Sequence, residues 1–403
     1  VSEKSILEKD ETSGNMMVSS FGAGKWSLGI HDAQLYRVPS FGDASCNIAG
    51  YRQHLQDPVL LGARTILDLL SEFGVSVIRI AESSWPEYWH LSALEHDSLC
   101  KLAVSGQGQT LVDRPPTSDR QRWVRDRKAI NSALNISRYE QTGWIGLRTE
   151  SEEFAKAVIE TAHMQGLKVS FQGPSKIGCI LKSNDIFCGA VNLIRERLDE
   201  SPLDLLIAWS GNRKDVARER ALELSRNGVL ITSELVSTHR RVFIKDALST
   251  PFIEENIPIF PHLTNILQMR SAIGYATGKS SLKAYTGLSE PSKQNSNSAK
   301  EGWNSLIHST AELCQEDGPI LIGSAAPQLT SVPGFALREE VSLFLKCGIT
   351  LPILLGLVGW QHFRSLGFPI ESGEWLTTSI SPQDPEHFIM SLRPETRESH
   401  LKT

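Results

Sequence analysis

Residues 59–82 read VLLGARTILDLLSEFGVSVIRIAE and hold two periodicities back to back. Leu60, Leu61, Ile66, Leu67, Leu69 and Leu70 recur at helical spacing, and Gly74 stands where a helix end favours a left-handed residue. The run from Val75 to Glu82 is β-branched and apolar and ends in an acid, as a buried strand with a polar tip does. An earlier strand is predicted in residues 24–36, GKWSLGIHDAQLY, which also end in polar tips. The three pieces together make one strand–helix–strand unit.

The alternation continues along the chain. Further strands are predicted at 99–104, 144–147, 168–172, 187–194, 229–235 and 320–323, eight with the first two. Helices are predicted at 151–164, closed by Gly166, and at 215–226, closed by Gly228. Eight strands with helical crossovers favour an α/β fold of the closed (β/α)8 TIM type over an open doubly wound sheet, because no GxGxxG follows any strand. The expected organisation is a flexible N-terminal arm (1–20), a barrel (21–370), a small C-terminal β appendage (371–395) with strands at 375–380 and 387–392, and a tail (396–403). Segments 114–138, rich in Arg and Asp, and 280–300, rich in Ser, Lys and Asn, are expected to be loops, the second a candidate lid over the barrel mouth.

Composition narrows the function classes. With 403 residues, 40% hydrophobic, 22% charged and a net charge of −5, the chain reads as an ordinary soluble protein with a small-molecule substrate and no nucleic-acid partner. Its six cysteines are scattered with no CxxC pair, the pattern of buried thiols in a reducing compartment. The longest apolar segment, 349–360, is too short to span a bilayer, and no basic-then-apolar leader opens the sequence as given. A cytoplasmic protein without a membrane partner is therefore expected, and a homo-oligomer is left open.

The C-terminal third carries a resemblance. GPILIGSAAP (318–327), VPGFALREEV (332–341) and CGIT (347–350) resemble the last strand and helix of the amidohydrolase superfamily, near its imidazolonepropionase-like and peptidase-like members. There the family has a Gly-Ser/Thr-Asp-Ala strand end, a Pro-Gly-Phe turn and a His-x-Glu-Leu helix. Ala325 stands at the Asp and Arg338 at the helix His. On the same template residues 28–36 are similar to the opening strand PGLIDAHxH, with Gln34 and Tyr36 at its two metal-binding histidines. Gln172 falls at the histidine of the fifth strand, Arg195 at that of the sixth, and Gly146 at the carboxylated lysine of the fourth. The resemblance implies a (β/α)8 barrel whose usual β-sandwich is reduced or missing here.

A hydrolytic zinc site needs His nitrogens or carboxylates at about 2.0–2.2 Å to make a metal hydroxide. Gln, Tyr, Arg, Gly and Ala do not assemble one, so no metal and no other cofactor is expected. The remaining polar ring suits an enzyme working by hydrogen bonds and proton transfer on a largely apolar small molecule, such as a cyclase, dehydratase, isomerase or pericyclic catalyst of natural-product biosynthesis. In that reading Tyr36 is a general acid, Arg195 steadies an oxyanion, Gln34 and Gln172 hold a carbonyl, and Glu82 or Glu234 takes a proton. Arg148, Trp85, Trp89 and His54 would line the substrate pocket. The same residues also fit a polar network filling a former site in a non-catalytic binding protein, and a hydrolase with an unconventional site is a third reading.

Overall fold

The computed structural model describes residues 7–9, 16–18, 26–31, 35–46, 67, 70–80, 110–117, 121–139, 143–211, 213–243, 292–315, 320–326, 333–365 and 375–394. The strands are β1 (Leu7–Lys9), β2 (Met16–Val18), β3 (Trp26–His31), β4 (Leu35–Pro39), β5 (Phe41–Cys46), β6 (Val75–Ile80), β7 (Thr110–Val112), β8 (Gln121–Trp123), β9 (Trp144–Arg148), β10 (Lys168–Phe171), β11 (Ile186–Phe187), β12 (Leu230–Thr232), β13 (Ile320–Leu321), β14 (Trp375–Thr378) and β15 (Arg393–Pro394). The helices are α1 (Arg127–Tyr139), α2 (Glu152–Met164), α3 (Ser175–Gly178), α4 (Pro202–Ser210), α5 (Lys214–Arg226), α6 (Leu235–Val242), α7 (Lys293–Gln315), α8 (Phe335–Lys346), α9 (Leu351–Val358), α10 (Trp360–Ser365) and α11 (Pro385–Ser391).

Parallel pairing dominates the centre. One sheet runs β13-β12-β11-β10-β9-β7-β8, and β5 pairs in parallel with β6. The Ala44 amide of β5 donates to Ile322 O just past β13 at 3.1 Å, so the pair continues the ladder beyond β13. Asp43 reinforces that seam by accepting from the Ser324 amide (2.9 Å) and hydroxyl (2.5 Å). Among the described residues no ladder joins β6 to β7, so the order β6-β5-β13-β12-β11-β10-β9-β7 is not seen to close.

The burial pattern shows that these strands wrap a common interior. A strand turns alternate residues to opposite faces. Ile145, Leu147, Val169, Phe171, Phe187, Ile231, Ile320 and Ile322 belong to the large core under the helices. The residues between them, Trp144, Ile186, Leu230 and Leu321, pack instead with Ala44, Val77, Trp360 and Phe363 in a second cluster. Strands from β6 at one end of the order to β9 near the other contribute to this second cluster, on the face turned away from the helices.

Local sequence accounts for the helices. The Ser151 hydroxyl caps α2 by accepting from the Phe154 amide, Glu152 and Glu153 occupy its first turn, and Gly166 follows its end at φ +75°. Ser201 and Asp204 form a reciprocal capping box at α4 with a proline in the first turn. Gly228 follows α5 at φ +70°.

Several expectations need correction. Residues 24–36 do not form the first parallel strand: β3 and β4 pair antiparallel in a six-stranded sheet of order β1-β2-β3-β4-β14-β15, built from both chain ends. Apolar alternation reports a half-buried strand of either kind, and parallel or antiparallel pairing is a tertiary matter. The expected N-terminal arm contributes β1 and β2 to that sheet, which is thus fuller than predicted. Segment 114–138 contains β8 and most of α1, and the end of 280–300 is the start of the 23-residue α7, where packing overrides a polar composition. Residues 387–392 are largely helical in α11, started by an Asp384 side-chain cap. The predicted strand 187–194 is β11 followed by a 3-10 helix, Ala190–Ile194, and 229–235 stops at Thr232 where α6 begins. The predicted strand 99–104 lies outside the described residues. Four cysteines, Cys179, Cys188, Cys314 and Cys347, are free thiols.

Candidate active site

With β5 as the first parallel strand, the opening pattern PGLIDAHxH falls on residues 39–47, PSFGDASCN. Asp43-Ala44 then match its Asp-Ala in sequence, so the pattern's histidine positions no longer fall on Gln34 and Tyr36 but on Ser45 and on Asn47, the latter outside the described residues. The reason for the misplacement is that residues 28–36 and 39–47 are both apolar runs around an Asp-Ala pair. Tyr36 instead lies on β4, opposite Ile30 and Thr378, with its ring edge-on to Phe388 at 6.0 Å. It belongs to the terminal sheet and is withdrawn as a general acid. Gln34, His54, Glu82, Trp85 and Trp89 lie outside the described residues.

The C-terminal strand ends bring several other residues together. Register sets Leu147 beside Phe171 and Phe171 beside Phe187, and the Gln172 amide donates to Leu147 O at 2.9 Å. Arg148, Gln172 and Cys188 therefore occupy neighbouring positions, each on the interior-facing parity of its strand. Gln172 and Arg148 are half-buried, and neither side chain has a hydrogen bond or ion pair among the described residues.

Past β12, Glu234 stands in the left-handed region at φ 52°, and past β13 Ala325 does so at φ 50°. Non-glycine residues there cost of order 1–3 kcal/mol each and cluster at functional sites. The Glu234 carboxylate accepts from Thr232 Oγ1 at 2.8 Å and stands over Gly189, where a Cβ would lie 3.2 Å from Oε2. Its amide is held by Gly323 O at 3.1 Å. Glu234, Thr238 and Arg241 follow one another at helical spacing along one face of α6. Arg241 is exposed.

Arg195 does not present a free guanidinium. Its Nε donates to Asn192 Oδ1 (2.7 Å) and its Nη1 to the carbonyls of Arg197, Leu198 and Glu200 (3.1, 3.2 and 3.1 Å). It ties down the turn after the 3-10 helix, so an oxyanion-binding role is withdrawn. Burial pulls its pKa down to about 10, Glu200 opposes that, and the charges of Arg148 and Arg241 add to it.

Below this mouth the interior holds a cation that sequence reading passed over. Arg79 of β6 is fully buried, donating from Nε to Ala44 O (2.6 Å) and from Nη1 to Ser170 Oγ (3.1 Å), with Nη2 4.0 Å from Cys188 Sγ. A lone Arg inside the run VSVIRI was its signal, since a charge on a buried strand must be satisfied internally. Glu340 of α8 was also missed: its two oxygens accept the Leu235 and Val236 amides at 2.7 Å each and cap α6.

The amidohydrolase barrel implies a metal centre, and the residues present do not fit one. The positions at which the sequence resemblance sets ligands carry Gly146, Gln172 and Ala325 among the described residues, none of which is a His or a carboxylate. Among the described residues no group of three or more His, Cys, Asp and Glu side chains could hold a metal ion. Nor is any described helix long and apolar enough to cross a membrane.

No protein-family profile and no curated protein matches the chain. Solved structures do. A Xaa-Pro dipeptidase with methionine bound in its active site is similar over 94% of this chain and 92% of its own, with a TM-score of 0.55 and 10% identity. The bottromycin amidohydrolase is similar over 94% and 80%, with a TM-score of 0.54 and 12% identity. The ochratoxinase of A. niger is similar over 94% and 89%, with a TM-score of 0.54 and 9% identity. At such identities the likeness is one of architecture: this chain has the fold of amidohydrolase enzymes, in which the parallel strands form a TIM-type barrel.

Proposed function

We propose that the chain is an enzyme whose site lies at the C-terminal ends of the parallel strands and works by proton transfer, without a metal hydroxide, on a small organic molecule. The observation that carries this reading is Glu234: a carboxylate whose backbone is left-handed, oriented by Thr232 and on the same face of α6 as Arg241, past the end of β12. Glu234 removes a proton, and the Gln172 amide holds a carbonyl so that the departing charge is shared. Cyclisation, dehydration and isomerisation in natural-product biosynthesis all fit such a pair.

The test is conversion of metabolites from a cell extract by the purified protein, followed by mass spectrometry. Turnover should survive chelation and fall at least 100-fold in Glu234→Gln. Loss on chelation with recovery on adding zinc overturns the metal-independent reading, and unchanged turnover in Glu234→Gln removes that residue. A non-catalytic binding role is the second reading, favoured by Arg79, whose guanidinium is anchored across the interior to strands β5 and β10. Absence of any conversion, with a ligand retained, would decide for it.

A further inference from the structure

We propose that Asn192 is a further catalytic residue, forming with Glu234 a two-point site over Gly189 for a neutral carbonyl compound with an acidic C–H or N–H beside its carbonyl. This rests on the preceding reading of Glu234 as the base, and adds a donor to the carbonyl oxygen and the substrate's class. Gly189 and Glu234 follow the paired strands β11 and β12, whose ends are tied together. The Gly189 amide donates to Thr232 Oγ1 at 2.8 Å, the same hydroxyl that donates to Glu234, and the Ala190 amide donates to Ser233 O at 3.2 Å. A Cβ on Gly189 would lie 3.0 Å from Asn192 Nδ2 and 3.2 Å from Glu234 Oε2. The amide nitrogen and the carboxylate oxygen therefore flank one small space, which a side chain at position 189 would fill.

The orientation of Asn192 is set by its partners. Its side chain is buried, with Oδ1 accepting from Arg195 Nε at 2.7 Å and Nδ2 donating to Cys188 O at 2.6 Å, so a donor fixes one end of the amide and an acceptor the other. A carboxamide nitrogen carries two hydrogens, and Cys188 O takes one. Among the described residues no acceptor takes the second. Buried donors are rarely left unmatched, and a substrate carbonyl oxygen matches this one. Arg195, itself held by the carbonyls of Arg197, Leu198 and Glu200, is then a positioning residue that keeps the amide from turning over.

A donor and an acceptor on either side of one space select the ligand. The carbonyl oxygen takes the Asn192 N–H, and the hydrogen on the neighbouring atom faces Glu234. A carboxylate has no such hydrogen and sets its charge against that of Glu234. Where the neighbour is carbon, the C–H bond breaks and its proton passes to Glu234 Oε2. Its electron pair forms a C=C bond, and the carbonyl π pair moves onto oxygen, where the Asn192 N–H stabilises it. Return of the proton to a more distant carbon of a conjugated enolate completes an isomerisation.

Ligand-observed NMR on the full chain tests the site with three probes: phenylacetamide, which has a carbonyl and an N–H, methyl phenylacetate, which keeps the carbonyl without the N–H, and phenylacetate, an anion. Phenylacetamide should bind at least tenfold more tightly than either. Asn192→Asp should weaken it about tenfold, and Glu234→Leu should erase the preference for amide over ester. Equal binding of amide and ester, tighter binding of phenylacetate, or full amide affinity in Asn192→Asp overturns the proposal. The amide-against-ester comparison uses the unaltered protein, so it stands even if a variant fails to fold. Absence of the amide preference, with turnover that survives chelation and falls in Glu234→Gln, sinks this inference alone. Retained preference with turnover that needs zinc sinks only the metal-independent mechanism.

Discussion

Two buried charges on α8 act in opposite ways. Arg338 is fully buried and stacks near Phe73 while donating to the carbonyls of Phe73, Met390 and Leu392, so it pins α8 to the turn before β6 and to the C-terminal segment. Replacing it with methionine strands those carbonyls, and Arg338→Met should lose roughly 3–5 kcal/mol of stability in urea unfolding. Glu340 is buried against the start of α6, and desolvation pushes its carboxyl up to about 8, against the hydrogen bonds from Ser233, Val236 and Leu235. The fold therefore holds a proton that the unfolded chain has released. Stability should fall as pH rises from the usual carboxylate range toward about 8, by at most about 1.4 kcal/mol per pH unit. Glu340→Gln should flatten that part of the stability curve relative to the unaltered protein, as read by thermal unfolding at stepped pH.

Among the elements, the contact between α7 and α4 is set by one glycine. A Cβ on Gly302 would lie 1.7 Å from Leu206 O and 3.0 Å from the Ser210 amide, both backbone atoms that do not swing aside. Gly302→Ala should push the helices apart and cost about 1–3 kcal/mol or more in chemical denaturation. Gly166→Ala makes the contrast, for its Cβ would meet open space and only the left-handed φ of +75° resists, so a loss of about 1 kcal/mol is expected. In the sequence only Gly166 of the two stood at the end of a predicted helix. Gly166 announced its role as a helix end, but Gly302 sits in a polar stretch whose partner, Leu206, is far away in the chain.

For the molecule as a whole, the seam between β5 and β13 joins residues 43 and 324, nearly the full length of the parallel region. Asp43 and Ser324 are both fully buried and bonded to each other through amide and hydroxyl. A double-mutant cycle of Asp43→Ala and Ser324→Ala should show a coupling of about 1–3 kcal/mol in unfolding experiments. An exposed pair at this separation would show none. Asp43 also explains why an Asp-Ala pair is no reliable marker on its own: one such pair, 32–33, falls in the chain between the antiparallel strands β3 and β4, and the other, 43–44, joins β5 to the end of β13.

The sequence by itself determined the alternation of strand and helix, the ends of α2 and α5, and the place of Gln172, Arg148 and Glu234 at strand ends. Those features follow from periodicity and capping, which act over a few residues. Only the tertiary structure decided which of two similar apolar runs begins the parallel order, and so where Tyr36 lies. It alone showed that Arg195 is spent on a turn, whereas Arg148 and Arg241 make no hydrogen bond or ion pair among the described residues. Pairing, charge compensation and desolvation depend on neighbours distant in the chain, and a single sequence does not record those neighbours.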